Sequence, residues 1–365
     1  MKKNRLRARG LSGLGEFGLI NSIVKASRRA SSGALALSGA SVIVPNGDDA
    51  AVLDVRAAFG SDCLAISTDM LVEGVHFDCG LMSFYDVGVK SVTANISDMA
   101  ATGGARPLFC VVGLAIPVDI NVENVDNLLA GLRAAATKDG ITLIGGDTVR
   151  SNKSIVISIT IVGRIDKKSV VERGGAKAGD LICATGAFGD AAAGLRVLQG
   201  QRKSKRLCRA RYSDAIRAHG YGQLVHAYRR PRHRLNEAIL LTARWPRPTA
   251  MMDSSDGLAA CVRAMSSAAD LGAIVNLRDV PLSRAFRRWA LSVSGGPLDP
   301  KFPWRTVAEG GEEYELVFTA GPSDVPALKK RVNFSVVGEM RCGKGVDFML
   351  NGKKMAGEWR GYENF

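Results

Sequence analysis

Leu64-Ala-Ile-Ser-Thr68-Asp69 is an apolar run of strand length closed by an acid. The pattern returns in Val42-Ile-Val-Pro-Asn-Gly-Asp48-Asp49, Ile141-Thr-Leu-Ile-Gly-Gly146-Asp147 and Met251-Met-Asp253-Ser-Ser-Asp256-Gly. Further β-branched or apolar runs at 50–55, 109–116 and 155–162 are bounded by Gly, Asp or Pro, as strands are. Between them, 85–101 and 122–138 have helical spacing, with Val89, Val92, Ile96 and Met99 recurring at three and four. The first half therefore reads as an α/β domain. A second set follows, with strands expected at 180–185, 274–277, 314–319 and 335–337 and helices from about 190 and 258. The fold class expected is α/β, as two closely packed domains over 1–165 and 166–365. No Pro- or Ser-rich linker separates them.

At 365 residues, 46% hydrophobic and 23% charged, the chain has the composition of a globular protein rather than a disordered or fibrous one. No apolar run reaches the ~18 residues of a spanning helix, so a membrane protein is not expected. Seven scattered cysteines with no C-x-x-C pair argue for a reducing compartment, taken as the cytoplasm, and against a zinc site. The net charge of +14 is local. Between Gln201 and Arg234 stand eleven Lys or Arg against Asp214 alone, and five more basic residues lie in the first ten. The remainder is nearly neutral. The 201–234 run is read as a solvated, partly helical insertion, with contact to an anionic partner as the other reading.

Strand ends of α/β sheets are where ligands bind, and Ser91, Asn95 and Asp98 share one face of the helix over 85–101. Taken singly, each aspartate is also a turn residue or helix cap, Asp256 before Gly257 in particular. Taken together, converging carboxylates repel unless cations sit among them. Oxygen-only donors with no Cys or His pair suit a hard ion, and Mg²⁺ bridges carboxylates to phosphates. The chemistry implied is phosphoryl transfer. No Walker loop or kinase signature is present. Gly13-Leu-Gly15-Glu-Phe-Gly18 matches G-x-G-x-x-G but follows no strand, so it is not a dinucleotide fingerprint.

Nine motifs, in order from Gly15 to Phe365, carry a resemblance to a known family. They are Gly-Glu16-Phe17-Gly, Gly47-Asp48-Asp49-Ala, Ala65-Ile-Ser67-Thr68-Asp69 through His76-Phe, Asn95-Ile-Ser-Asp98, Gly146-Asp147-Thr148, Arg173-Gly-Gly through Gly179-Asp180, Asp253-Ser-Ser255-Asp256-Gly, Gly-Gly-Glu312-Glu-Tyr314-Glu315 and Trp359-Arg-Gly361-Tyr-Glu-Asn-Phe365. The chain resembles the thiamine-monophosphate kinases, within the superfamily of aminoimidazole ribotide synthetase. The resemblance implies ATP in the cleft between the two domains and a homodimer formed through the N-terminal sheet. It implies several Mg²⁺ ions held by Asp49, Ser67, Thr68, Asp69, Asp98, Asp147, Asp253 and Asp256. It further implies ATP contacts from Gly146, Arg173 and Ser255, and thiamine monophosphate held by His76, Glu312 and Trp359. No covalent nucleophile is expected, because the acceptor phosphate is itself the nucleophile. Without the resemblance, Arg173 reads as a surface ion pair, His76 as a turn histidine and Trp359 as packing.

Two rivals stand beside this reading. A synthetase of the same superfamily, making an aminoimidazole ribotide or a selenophosphate, shares the acidic motifs. The selenophosphate type calls for a reactive Cys in the Gly10 to Gly18 stretch, which holds none. A nucleic-acid-binding module built on 201–234 is not expected, since only Tyr212, Tyr221 and Tyr228 could stack there and the aspartates would be unexplained.

Overall fold

Strand β3 (Cys63–Val72) pairs antiparallel along all ten residues with β6 (Val156–Ile165), from Cys63 opposite Ile165 to Val72 opposite Val156. β6 pairs β4 (Arg106–Pro117), and β4 runs parallel to the edge strand β5 (Thr142–Ser151). With β2 (Ala51–Asp54) and β1 (Ser41–Val44) the sheet has the order β1-β2-β3-β6-β4-β5. The computed structural model describes residues 41–44, 51–54, 63–203, 220–294 and 302–362. The expected strands at 63–68 and 141–144 are present but run on, so Asp69 and Asp147 lie inside strands rather than at their ends. Ladder bonds to β6 and β4 continue past both aspartates, and a polar residue interrupts a strand's apolar pattern without ending its pairing.

One face of this sheet is covered. Ala65, Cys110, Val112, Ile157, Ile159 and Ile161 are buried and meet helix α1 (Phe84–Ala101), which packs on α2 (Val122–Lys138). Ser83 starts α1, its hydroxyl accepting the Asp86 N–H at 3.1 Å. A Cβ on Gly88 would fall 2.1 Å from the Leu128 carbonyl oxygen, and one on Gly131 2.0 Å from that of Tyr85. Only glycines let the two helix backbones touch there.

The second sheet has seven strands in the order β13-β12-β9-β11-β7-β10-β8. These are β7 (Leu181–Thr185), β8 (Ala250–Asp253), β9 (Gly272–Asn276), β10 (Leu316–Ala320), β11 (Phe334–Arg341), β12 (Gly345–Leu350) and β13 (Lys353–Lys354). All pairs are antiparallel except β9 with β12. The helices are α3 (Asp190–Lys203), α4 (Gly222–Arg229), α5 (Leu235–Thr242), α6 (Leu258–Ala268), α7 (Arg284–Val293), α8 (Trp304–Glu309) and α9 (Val325–Lys329). α5 and β8 close over the side of α1 that the first sheet leaves open, which is why α1 is buried nearly all round.

The basic stretch divides here. Residues 204–219 lie outside the described residues, but from Gly220 on it is packed body, which corrects the expectation of a solvated run as far as Arg234. Arg229 Nε donates to the Leu81 carbonyl at 2.7 Å, and Arg230 pairs with Asp86 and lies 5.3 Å over the Tyr85 ring. His233 meets Asp139 at 3.1 Å, and Arg234 grips both Glu315 oxygens at 2.6 Å. Arg229, Arg230 and His233 thus fasten this segment to the elements around α1 and α2, and Arg234 ties it to Glu315 beside the second sheet. Among the described residues no helix is long and apolar enough to cross a membrane.

Candidate active site

Alternation along β3 sorts the expected ligands. Ser67 and Asp69 stand opposite Ile161 and Ile159, in the covered rows. Thr68 stands opposite Thr160 on the outer face, its hydroxyl 3.0 Å from the Thr160 hydroxyl and donating to the Ile159 carbonyl at 3.1 Å. Asp147 is opposite Gly113, Gly113 opposite Ser158, and Ser158 opposite Met70, which puts it on that outer face too. Three strand spacings, roughly 14 Å, separate its row from β3. Its carboxylate accepts the Thr148 N–H at 2.8 Å. Thr68 and Asp147 are therefore not brought beside Asp69, because a period of two sends neighbouring residues to opposite faces. Gly146 has a packing reason for its identity, since a Cβ there would sit 2.0 Å from the Val112 carbonyl oxygen. Asp49 lies outside the described residues.

The remaining carboxylates converge between the sheets. Ser67 donates to Asp98 on α1 at 2.5 Å. Asp253 closes β8 at 1% exposure, with Ser255 donating to its Oδ1 at 3.3 Å and its Oδ2 left with no hydrogen-bond partner. Asp256 follows, yet α6 is capped by Gly257 at φ 95° with no side-chain bond, so Asp256 is not that helix's cap. Burial pushes the Asp69 carboxyl up to about 6. Burial, with the charges of Asp69 and Asp256, pushes Asp253 up to about 7. Tyr314 is buried among them; burial and the charges of Glu312, Asp69, Asp253 and Asp256 raise its phenol well above the ordinary range. Sequence reading placed Tyr314 in a motif but gave it no role. Its φ of 52° and Glu312's of 70° are left-handed, the kind of strain that gathers at functional sites.

These shifts carry a sign. A carboxyl whose pKa is raised in the fold binds its proton more tightly folded than unfolded, so its stabilisation is present at low pH and lost as pH rises. Between about pH 4 and pH 7 the free protein should become less stable, and Asp253→Asn should flatten that fall and raise the melting temperature at pH 7.5. Melting curves of both proteins across the window check this. A wild-type melting temperature that climbs through it, with the same slope in the variant, would contradict it.

The acceptor candidates also have definite places. His76 is half-buried, and its Nδ1 accepts the Val72 N–H at 3.0 Å, so the neutral ring carries its proton on Nε2. Glu312 N–H donates to the Ser255 carbonyl at 2.6 Å, joining the Gly-Gly-Glu loop to the Asp253–Asp256 turn. Arg173 is half-buried in the connection from β6 to β7. Trp359 is 5% exposed, stacked on Phe348 at 5.0 Å and 22°, with the Arg305 guanidinium 4.9 Å from its ring, the surroundings of a packing residue. A more exposed aromatic, Tyr362, follows in the same segment at 41% exposure, and its backbone N–H donates to the Asp256 carbonyl at 3.0 Å.

Oxygen donors alone, an unsatisfied buried Asp253 oxygen and two carboxyls poised to ionise suit a hard divalent cation. Among the described residues no group of three His, Cys, Asp or Glu is arranged to hold a metal unaided. Such an ion would complete its shell with phosphate oxygens and water, as Mg²⁺ does.

Residues 47–165 match the family model described as AIR synthase related protein, N-terminal domain. The thiamine-monophosphate kinase of Escherichia coli (strain K12) is 32% identical over 329 residues, covering 86% of this chain and 93% of that one. The solved structure described as AaThiL complexed with AMPPCP and TMP is 27% identical with a TM-score of 0.76, covering 98% of this chain and 100% of that one. Thiamine Monophosphate Kinase from Aquifex aeolicus is 27% identical with a TM-score of 0.72, covering 95% and 99%. The resemblance carried by nine ordered motifs, the paired sheets and a relative above 30% identity over most of the sequence agree, and the chain belongs to the thiamine-monophosphate kinase family.

Proposed function

We propose that this chain transfers the γ-phosphoryl group of ATP to the phosphate of thiamine monophosphate, giving thiamine diphosphate and ADP. The observation that carries the reading is the convergence of Asp69, Asp98, Asp253 and Asp256 between the two sheets, in a member of this family. A structural relative complexed with AMPPCP and TMP supports both substrates. Mg²⁺, when bound by Asp69, Asp98, Asp253 and Asp256, would neutralise phosphate charge and polarise the group in transfer. The chain's own residues position the reactants. In this reading His76 Nε2 would donate to the acceptor phosphate, Glu312 and Tyr362 would meet the cationic thiamine rings by charge and by stacking, and Arg173 would offer a planar fork to ATP. The acceptor phosphate is already an anionic nucleophile, so neither a general base nor a phospho-enzyme is needed.

Release of ADP that depends on thiamine monophosphate tests the reading. Unphosphorylated thiamine should not substitute, since it lacks the nucleophile, and equal ADP release with both would count against it. Met70, Phe109, Val111 and Val149 are exposed on the outer rows of the first sheet, and this apolar face supports a homodimer through that sheet. The rival nucleic-acid reading is tested by replacing Lys205, Arg206 and Arg209 with Ser. Turnover should stay within a few-fold while retention on polyanions falls. Collapse of turnover would place that segment at the active site.

A further inference from the structure

We propose that Lys90 is the positioning residue of the acceptor side of the cleft, holding His76 and Glu312 in register from the two sheets. The inference rests on the reading of those two residues as acceptor contacts. Lys90 lies in the middle of α1 and is wholly buried. Its ammonium pairs with Glu312, donates to the His76 carbonyl at 3.1 Å and sits 4.7 Å from the centre of the Tyr228 ring. A buried ammonium is costly and persists only where its donors are met. Here a carboxylate, a carbonyl and a ring face meet them, each from a different element.

The geometry on either side shows what this does. The Glu312 side chain keeps 25% exposure while that of Lys90 has none, so the pair is anchored inside and opens to solvent on the Glu312 side. Glu312 is held in a left-handed conformation by its N–H bond to Ser255 and by this pair. His76 is fixed twice, its carbonyl by Lys90 and its Nδ1 by the Val72 N–H, which sets the direction of Nε2. One ammonium therefore determines the spacing between a residue of the 72–77 loop and a residue next to the second sheet. It also balances the Glu312 charge, so Glu312 acts on the acceptor mainly through where it is placed. In the sequence Lys90 is one lysine in a largely apolar helix, and nothing in its spacing marks it.

The test uses the full chain with Lys90→Met, Lys90→Arg and the double variant Lys90→Met/Glu312→Gln. Lys90→Met should raise the KM for thiamine monophosphate about tenfold or more, leave the ATP KM within about twofold, and speed amide exchange in segments 72–79 and 310–314 of the free protein. Lys90→Arg keeps the charge and should recover part of both effects. The double variant leaves no buried charge unpaired, yet its acceptor KM should stay high because the His76 carbonyl still lacks its donor. Equal rises in both KM values with a lowered melting temperature would reduce Lys90 to a structural residue and overturn the proposal. So would full recovery of the acceptor KM in the double variant, which would mean charge balance alone. If the wild type fails to turn over thiamine monophosphate, the functional reading falls, and exchange still decides the Lys90 claim: unchanged rates at 72–79 and 310–314 in Lys90→Met refute it.

Discussion

Asp69→Asn is expected to cut thiamine monophosphate-dependent turnover at least ~100-fold while the free protein melts no lower than the wild type. Asp69 lies inside β3 opposite Ile159, in a row that faces α1 and the Asp253–Asp256 turn. Asparagine keeps its shape and removes its charge. Burial already disfavours that charge in the free fold, holding the carboxyl near 6, so neutralising it removes a destabilising element at pH 7.5. The catalytic loss has a different origin. Charge stabilisation aimed at a group in transfer is worth roughly 3 kcal/mol, a factor of more than a hundred. Turnover and a melting curve on one variant separate the two effects, and near-normal turnover would remove Asp69 from the phosphate site.

Trp359→Ala is expected to destabilise the protein by about 3–5 kcal/mol, as truncation of a large buried aromatic does, and to change both KM values alike if it changes either. Its ring stacks on Phe348 of β12 and lies under Arg305 of α8, so it joins the closing segment to the second sheet. That segment then delivers Gly361 and Tyr362 to Asp256. A Cβ at Gly361 would lie 2.7 Å from the Asp256 carbonyl oxygen, so the tail is seated against the turn that bears two of the carboxylates. Urea unfolding with both KM values measures this, and a stable variant with only the acceptor KM raised would return the indole to the acceptor site.

Much of this was legible in the sequence. Helix α1 was readable to within a residue because Val89, Val92, Ile96 and Met99 repeat at helical spacing, and β3 was recognisable from Leu64-Ala-Ile. Where strands end was not, since Asp69 and Asp147 are held in their strands by partners more than thirty residues away. Alternation alone parts Thr68 from Ser67 and Asp69, but that Asp147 shares the face of Thr68 depends on pairing that no local pattern displays. Lys90 and the Arg229 to Arg234 clasp were misjudged or missed because a sequence shows how many charges there are, not which are already paired. Asp48, Asp49 and the Glu16 motif lie outside the described residues, and their part in the site rests on the resemblance.

The most direct measurement follows the label. The protein is incubated with γ-labelled ATP, Mg²⁺ and thiamine monophosphate, and separately without the acceptor. Labelled thiamine diphosphate in the first mixture, with unlabelled protein in both, is the expected result of direct transfer between substrates held by the two sheets. Label retained on the protein in the absence of thiamine monophosphate and passed on when it is added would contradict direct transfer, and no labelled thiamine diphosphate in either mixture would contradict the assigned activity itself.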